Sequence, residues 1–296
     1  MKHMRSFHPY AAVTILFWSL AYVLTRLTLQ YFSAFSLGFL RYFFASCALL
    51  IFAVCTKMKL PQKADLPWIA ASGLLGFFLY MITFNLGQSM VTASTASVVI
   101  ATVPVITALL ARVFYREKLK PLQWAAIAIA FSGVLVLTLM DGVLSVNTGL
   151  LWLFAAAVCL SVYNLLQRRL IRKYSALQAS AYSIFFGTLL LAVFLPASVR
   201  DIQTAPLLQL VYIAVLGVFS SAIAYAAWSK ALSLAKQTSQ VSNYMFITPF
   251  LTSLLGFLIA GEVPDHATLL GGGIIVLGVC IFNFGNGSIK PADSQP

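Results

Sequence analysis

The stretches STASVVIATVPVITALLARVFYRE at residues 94–117 and SQVSNYMFITPFLTSLLGFLIAGE at residues 239–262 decide the fold of this chain. The second begins 145 residues after the first (239 − 94 = 145), and the two align without a gap. The residue pairs they share are Ser94/Ser239, Ser97/Ser242, Pro104/Pro249, Thr107/Thr252, Leu109/Leu254, Leu110/Leu255 and Glu117/Glu262. Outside these stretches, the same offset also pairs Tyr80 with Tyr225 and Gly133 with Gly278. The chain is therefore built from two related halves.

The composition is that of an integral membrane protein. Hydrophobic residues make up 61% of the 296 residues, charged residues only 9%, and the mean hydropathy is +0.93. About 20 consecutive apolar residues cross the hydrocarbon core as a helix, and barrel strands are about half that length and alternate in polarity. Ten continuous apolar segments are predicted near residues 9–29, 33–55, 66–86, 92–114, 121–140, 148–167, 175–195, 207–229, 239–260 and 268–285.

The basic residues predict the orientation of these segments. With the N-terminus inside, 16 of the 19 Lys and Arg residues fall at cytoplasmic ends, as the positive-inside rule requires. Five helices per half is an odd number, so corresponding loops of the two halves lie on opposite sides. We therefore expect an all-α integral membrane protein with ten transmembrane helices in two inverted five-helix repeats, both termini being cytoplasmic. The net charge of +12 then predicts anionic lipids at the cytoplasmic face as partners, and no nucleic acid.

Several short motifs resemble one family. They are YREKL at residues 115–119, QW at 123–124, FSGVL at 131–135, AGEVP at 260–264 and LGV at 277–279, together with FWS at 17–19 and Arg41. This set resembles the EamA domain of the drug/metabolite transporter superfamily. The likeness covers two domains, residues 9–140 and 148–285, followed by a short cytoplasmic tail at 286–296. Ser19 stands where that family often has glycine, and both residues are small.

The resemblance implies a central cavity lined by helices one to four and six to nine, with helices five and ten at the periphery. It also implies a secondary transporter that exports small metabolites by alternating access across a bacterial or archaeal inner membrane. The alternatives are uptake, transport of drugs or vitamins by the same fold, or a non-transporting receptor or scaffold. Because the sequence has no HExxH motif, no phosphate loop and no carboxylate pair within the apolar segments, we expect no enzyme activity, metal or cofactor.

Polar and aromatic residues near the helix centres form the predicted substrate-binding set. Rings and amides can enclose an apolar side chain while they hydrogen-bond an amino or carbonyl group, which suits an amino acid or a similar amphipathic metabolite. The alternative is that the rings pack between helices and the hydroxyls bond to the preceding turn. The set is Trp18, Tyr22, Arg41, Tyr80, Ser97, Tyr163, Asn164, Tyr225, Trp228, Ser242 and Asn243.

Arg41 is the most specific of these hypotheses, because an ionisable group inside a membrane helix is costly and faces protein or water. It could hold a substrate carboxylate or phosphate, or it could bond to helix-end carbonyls or extend outward to water. Arg26 lies nearer the outer end of helix one, where its side chain could extend outward to water.

Two repeated residue types are predicted to act in gating. Pro104 and Pro249 each remove a backbone hydrogen bond near a helix midpoint, so each is expected to bend its helix, either statically or during gating. Glu117 and Glu262 sit at helix ends on opposite sides, which favours capping, pairing with arginine or gate formation over proton transfer. Small-residue stripes in helices five and ten favour packing within one chain, so we expect a monomer or a weak homodimer.

Overall fold

The computed structural model describes residues 6–116, 119–139, 147–234, 241 and 243–286. Within these residues the chain is helical and has no β-strand. Seven helices are long and apolar enough to cross a membrane, and three further helices contain the shorter apolar stretches Pro121–Leu137, Thr248–Ala260 and His266–Phe282. Glu117, Ser242 and the tail after residue 286 lie outside the described residues, as does the side chain of Asn243.

The helices are numbered in chain order. The first half of the chain contains α1 (His8–Thr28), α2 (Ala34–Cys55), α3 (Lys63–Met90), α4 (Ala93–Tyr115) and α5 (Pro121–Leu139). The second half contains α6 (Thr148–Leu170), α7 (Ala176–Thr204), α8 (Leu207–Ala231), α9 (Thr248–Ala260) and α10 (His266–Asn286).

Two helix boundaries differ from the sequence prediction. Helix α7 does not end near residue 195 but continues to Thr204, so Arg200 and Asp201 lie in its last turns rather than in a loop. Pro196 stands at the start of this last segment, where a proline is tolerated. The expected beginning of helix nine is a 3₁₀ segment over Asn243–Ile247, and α9 follows it.

Polar caps explain where several helices begin. The side chains of Ser33 and Thr92 accept the backbone N–H groups of Ser36 and Thr95, at the starts of α2 and α4. Ser175 and Gln178 form a reciprocal capping box at the start of α7. These contacts satisfy N–H groups that have no partner within the helix.

The two halves interlock. Helix α1 packs against α8 and α9, whereas α6 packs against α3 and α4. Helix α2 packs against α8, and α7 against α3. The first helices of each half therefore lie against the third and fourth helices of the other.

Helices α5 and α10 form a closely packed pair. A Cβ added to Gly133 would lie 2.7 Å from the carbonyl oxygen of Gly271, and one added to Gly278 would lie 2.5 Å from the backbone nitrogen of Ala130. Only glycine permits such close backbone approach between helices. The expectation that the small-residue stripes pack within the chain is confirmed.

Hydrogen bonds between the halves follow the sequence offset of 145 residues. The Asn164 side-chain amide donates to Thr107 Oγ1 at 3.4 Å, which joins α6 to α4. The hydroxyl of Thr252 donates to the backbone oxygen of Ser19 at 3.5 Å, which joins α9 to α1. Thr252 is the repeat partner of Thr107, and Asn164 is the repeat partner of Ser19. The same two repeat positions are thus joined twice, through different atoms.

Ion pairs lie at both ends of the helix bundle. At one end, which we name the Asp65 end, Lys173 Nζ contacts the Asp65 carboxylate oxygens at 3.0 and 3.1 Å, and the Tyr174 hydroxyl donates to the same carboxylate at 2.8 Å. At the opposite end, which we name the Glu262 end, Arg26 Nε contacts Glu262 Oε1 at 3.2 Å.

Candidate substrate-binding site

Arg41 is buried in the middle of the bundle, with 8% of its surface exposed. Its Nε atom donates to the hydroxyl oxygen of Ser221 at 3.0 Å. Ser221 lies in a π-helical stretch of α8, Leu216–Ile223. The close approach of α2 and α8 depends on Gly217, where an added Cβ would lie 2.6 Å from the Arg41 carbonyl oxygen.

Tyrosines surround the Arg41 guanidinium group. Tyr22, Tyr42, Tyr80 and Tyr225 all lie within electrostatic range of it. Among the described residues, the hydroxyl groups of these tyrosines have no hydrogen-bond partner, and neither do the two terminal nitrogens of Arg41. The centre of the bundle therefore presents hydrogen-bonding groups that no part of the described chain satisfies.

An aromatic cluster adjoins these tyrosines. The Trp18 ring lies 5.6 Å from the Tyr225 ring and 5.2 Å from the Trp228 ring, measured between centroids. Phe77 is fully buried, and its ring lies 5.2 Å from the rings of both Tyr42 and Tyr163. Rings at these separations attract one another and bury a large apolar area.

A π-helical stretch also precedes the first repeated tyrosine. Leu74–Leu79 is π-helical just before Tyr80, and Leu216–Ile223 is π-helical just before Tyr225. Gly76 in the first stretch lies against the Tyr163 ring, with no room for a side chain between them. π-Helical turns are frequent at functional sites, and here both occur beside the Arg41 cluster.

Comparison with known proteins agrees with this architecture. The model of the EamA-like transporter family matches residues 7–139 and again residues 147–284. This chain belongs to the EamA-like transporter family. Family membership indicates a multi-pass membrane transporter and thus points away from an enzyme.

Several named transporters are similar to this chain in sequence over most of its length. An uncharacterized transporter of Bacillus subtilis, YdfC, is 33% identical over 89% of this chain and 86% of its own length. A probable terminal-alkyne amino-acid exporter of Streptantibioticus cattleyicolor is 32% identical over 92% and 91%, respectively. An S-adenosylmethionine uptake transporter of Rickettsia bellii is 28% identical over 82% and 81%.

One solved crystal structure has a similar fold. It covers 96% of this chain and 99% of its own, with a TM-score of 0.64 and 18% sequence identity. At that identity, the likeness concerns the fold alone.

The structure of this EamA-like chain brings seven of the eleven predicted substrate-binding residues into one connected group. Tyr22, Tyr80 and Tyr225 lie in electrostatic range of Arg41. Trp18 contacts Tyr225 and Trp228, and Tyr163 joins the group through the ring of Phe77. Ser97 instead donates to the backbone oxygen of Ser94 at 2.7 Å, and Asn164 bonds to Thr107. Ser242 and the side chain of Asn243 lie outside the described residues.

Two members of the cluster were not predicted from the sequence. Tyr42 follows Arg41 directly, and Phe77 is one of 23 phenylalanines in the chain. The position of Tyr42 beside an intramembrane arginine was a usable signal. Nothing in the sequence distinguishes Phe77 from the other phenylalanines.

Glu262 joins the two halves at its end of the bundle. One carboxylate oxygen pairs with Arg26, and the other accepts the backbone N–H of Ala93 at 3.0 Å, at the start of α4. The terminal nitrogen Nη1 of Arg26 donates to the backbone oxygen of Ser89 at 2.7 Å. Of the three roles expected for Glu262, the structure therefore has the contact with a helix start and the pairing with arginine, and gate formation stays a prediction. Arg26, whose side chain was expected to extend outward to water, contacts Glu262 and the end of α3.

Both repeated prolines begin a new helical segment. Pro104 lies in the first turn of Val103–Tyr115, after a turn at residues 101–102 within α4. Pro249 lies in the first turn of α9, after the 3₁₀ segment. A proline in the first turn of a helix lacks only an N–H group that would have no partner there.

Among the described residues, no group of three or more His, Cys, Asp or Glu side chains could hold a metal ion.

Proposed function

We propose that this chain is a secondary transporter that moves a small amphipathic metabolite, such as an amino acid, by alternating access and exports it from the cytoplasm. The observation that carries the proposal is the location of the Arg41 cluster. Its side chains come from α1, α2 and α3 of the first half and from α6 and α8 of the second. A site between two related halves can open to either side as the halves rock against each other.

The proposed architecture is ten transmembrane helices in two inverted five-helix repeats, with domains at residues 9–140 and 148–285 and a cytoplasmic tail at 286–296. The paired contacts of Thr107 with Asn164 and of Thr252 with Ser19 support it. So does the interlocked packing, in which each half supplies the same helices to the other.

We assign substrate contact to the eleven residues predicted from the sequence, together with Tyr42 and Phe77. Gate formation is assigned to Glu262 with Arg26 and, by the repeat, to Glu117 at the opposite end. Pro104 and Pro249 are assigned as bending points, because a helix interruption precedes each of them.

Export is the first candidate direction, and a relative named as a probable amino-acid exporter favours it. Uptake is the second, since other relatives are named as S-adenosylmethionine uptake transporters. Drugs and vitamins are the competing substrate classes.

The proposed location is a bacterial or archaeal inner membrane, with both termini cytoplasmic and the Glu262 end outside. The basic residues Lys57, Lys59 and Lys173 at the Asp65 end support this orientation, and would contact anionic lipids. A monomer or weak homodimer is proposed as the functional unit. Labelling with a membrane-impermeant maleimide tests the orientation: in intact cells, Asp265→Cys is expected to react and Lys59→Cys to remain unlabelled.

The decisive experiment is counterflow with the purified chain in liposomes. Vesicles loaded with an unlabelled amino acid are expected to accumulate the labelled form without ATP. Vesicles loaded with a vitamin or a cationic drug provide the comparison. Binding without any flux would indicate a receptor, and a chemically altered solute would indicate an enzyme. Either result would refute the proposed function.

A further inference from the structure

The strongest unexplained feature of the molecule is the charge of Arg41. A guanidinium group carries five N–H donors, and the described residues accept only one of them, through the neutral hydroxyl of Ser221. The described acidic residues lie at helix ends, and none contacts Arg41. They are Asp65, Asp201, Glu262 and Asp265.

A buried charge without an ionic partner is costly. We propose that the missing partner is the carboxylate of the transported solute, and that the site recognises this carboxylate and not an ammonium group. Aromatic and other apolar monocarboxylates that lack an amino group are therefore ligands as well as amino acids. This inference rests on the proposed function, because it treats the Arg41 cluster as the transport site.

The geometry of Arg41 favours a carboxylate. Ser221 accepts from Nε, which leaves the edge formed by the two terminal nitrogens for a ligand. That edge can donate two parallel hydrogen bonds to the two oxygens of one carboxylate. Arg41 is also the only cation in electrostatic range of Tyr22, Tyr80 and Tyr225 among the described residues. One positive charge balances a carboxylate better than a doubly charged phosphate.

The rest of the site offers no negative charge to an ammonium group. The described neighbours of Arg41 are aromatic rings. Its guanidinium carbon lies 5.9 Å from the centroid of the Tyr42 ring, and Tyr225, which is in electrostatic range of Arg41, packs against Trp18, which in turn packs against Trp228. Their faces can pack against an apolar or aromatic side chain, and they attract a cation only weakly compared with a carboxylate. A ligand that lacks the amino group is therefore expected to lose little binding affinity. A ligand that lacks the carboxylate leaves Arg41 without an ionic partner and is expected to bind more weakly.

The internal repeat does not reproduce the pair of Arg41 and Ser221. The repeat partner of Arg41 is Phe186 (41 + 145 = 186), and that of Ser221 is Gly76 (221 − 145 = 76). The anion-binding pair thus occurs once in the molecule. One asymmetric position for one carboxylate fits a single solute bound between the halves.

Three ligands of similar shape test the inference on the wild-type chain. Phenylalanine carries both charged groups, hydrocinnamate lacks the ammonium group, and phenethylamine lacks the carboxylate. Thermal shift and competition binding in detergent are expected to give affinities for hydrocinnamate within about threefold of phenylalanine. The affinity for phenethylamine is expected to be at least about tenfold lower, because charge-assisted hydrogen bonds are lost.

Substitutions of Arg41 test whether the preference for a carboxylate arises at this residue. Arg41→Gln is expected to abolish the preference for hydrocinnamate over phenethylamine, and Arg41→Lys, which keeps the charge but not the paired donors, to reduce it. Arg200→Gln removes an exposed arginine at the end of α7 and is the matched control, which is expected to keep the preference.

Two outcomes overturn the inference: phenethylamine binds wild type as tightly as hydrocinnamate, or no carboxylate of the set binds. A folded Arg41→Gln variant that keeps the full preference would also overturn it. If the carboxylate preference is found but counterflow is absent, the site assignment stands and the transport proposal fails. If flux occurs without the preference, the transport proposal stands and this inference fails.

Discussion

At the residue scale, the position of the buried charge depends on one glycine. A Cβ on Gly217 would lie 2.5 Å from the Cβ of Phe44 and 2.6 Å from the carbonyl oxygen of Arg41. Both atoms belong to α2, so any side chain at this position must push α2 away from α8. The hydrogen bond between Arg41 and Ser221 spans the same interface.

Gly217→Ala is therefore expected to destabilise the fold by about 1–3 kcal/mol, the usual cost of overpacking, and to weaken binding of carboxylate ligands. The apparent melting temperature in detergent and the thermal shift with phenylalanine measure both effects. Gly273→Ala is the matched control: no atom lies within 4 Å of the added Cβ, and a stability gain of about 0.5–1 kcal/mol is expected in a helix interior. A Gly217→Ala variant as stable as wild type would contradict the argument.

Some residues of the Arg41 cluster can be predicted from the sequence, and others cannot. Arg41 stands out because charge is rare in membrane helices, and Tyr80 and Tyr225 stand out because they repeat. Phe77 has neither signal. Its place against Tyr42 and Tyr163 depends on a π-helical turn, which changes the angular position of side chains along α3. Such a turn is a consequence of packing between the halves, and no local pattern encodes it.

At the element scale, the Arg26–Glu262 pair holds together four elements: α1, the end of α3, the start of α4 and the α9–α10 loop. Both side chains are partly buried, and the Glu262 carboxylate also lies at the N-terminus of α4, where a helix favours negative charge. The pair is thus worth about 1 kcal/mol to the closed Glu262 end, or roughly fivefold in an equilibrium constant.

Glu262→Gln is expected to increase opening of the Glu262 end by roughly that fivefold factor. The measurement is the rate at which a membrane-impermeant maleimide labels Ser94→Cys, a buried position in the first turn of α4, in a background without the four native cysteines. Asp265→Asn is the matched control, because Asp265 caps Thr268 in the same loop and does not contact α1. Equal labelling rates in wild type and Glu262→Gln would exclude a gating role.

The ion pair at the Asp65 end is expected to behave differently. Asp65 joins the start of α3 to Lys173 and Tyr174, and α3 packs against both α6 and α7 along its length. Asp65→Asn is therefore expected to lower the melting temperature of this unit, because the bonds from Lys173 and Tyr174 to the carboxylate are weakened, with no change in labelling of Ser94→Cys. A melting curve and the same labelling assay test the two parts. Faster labelling in Asp65→Asn would mean that both ion pairs control the same opening.

The sequence predicts the all-helical, apolar character of the chain better than the internal geometry of its helices. Composition and charge suffice to place segments, since crossing hydrocarbon requires an apolar run of fixed length. The 3₁₀ segment before α9 and the extension of α7 to Thr204 are set by tertiary contacts, such as the one between Asp201 and the backbone N–H of Ser33. Arg26 and Glu262 were both placed at outer helix ends by sequence, but only the fold brings them into contact.

At the scale of the whole molecule, contacts between the two halves close the Glu262 end of the bundle. The first part of α4, Ala93–Ile100, packs against the Thr248–Leu255 segment of α9. Arg26 and Glu262 pair at the same end, and the Glu262 carboxylate also accepts the backbone N–H of Ala93. The structure is therefore closed at the Glu262 end.

For a transporter that opens each end in turn, this closed end predicts that fixing the Glu262 end stops transport without preventing binding. Arg26→Cys combined with Glu262→Cys, in the cysteine-free background, can be joined by a short bifunctional maleimide while the two side chains face each other. The cross-linked protein is expected to lose at least about nine-tenths of its counterflow, because alternating access requires each end to open in turn. It is expected to bind phenylalanine within about threefold of the uncross-linked protein, since the ligand can still enter from the Asp65 end. Each single-cysteine variant treated with the same reagent controls for chemical modification. Continued flux through the cross-linked protein would mean that this end does not open during the cycle, and loss of binding would mean that the solute enters only through it.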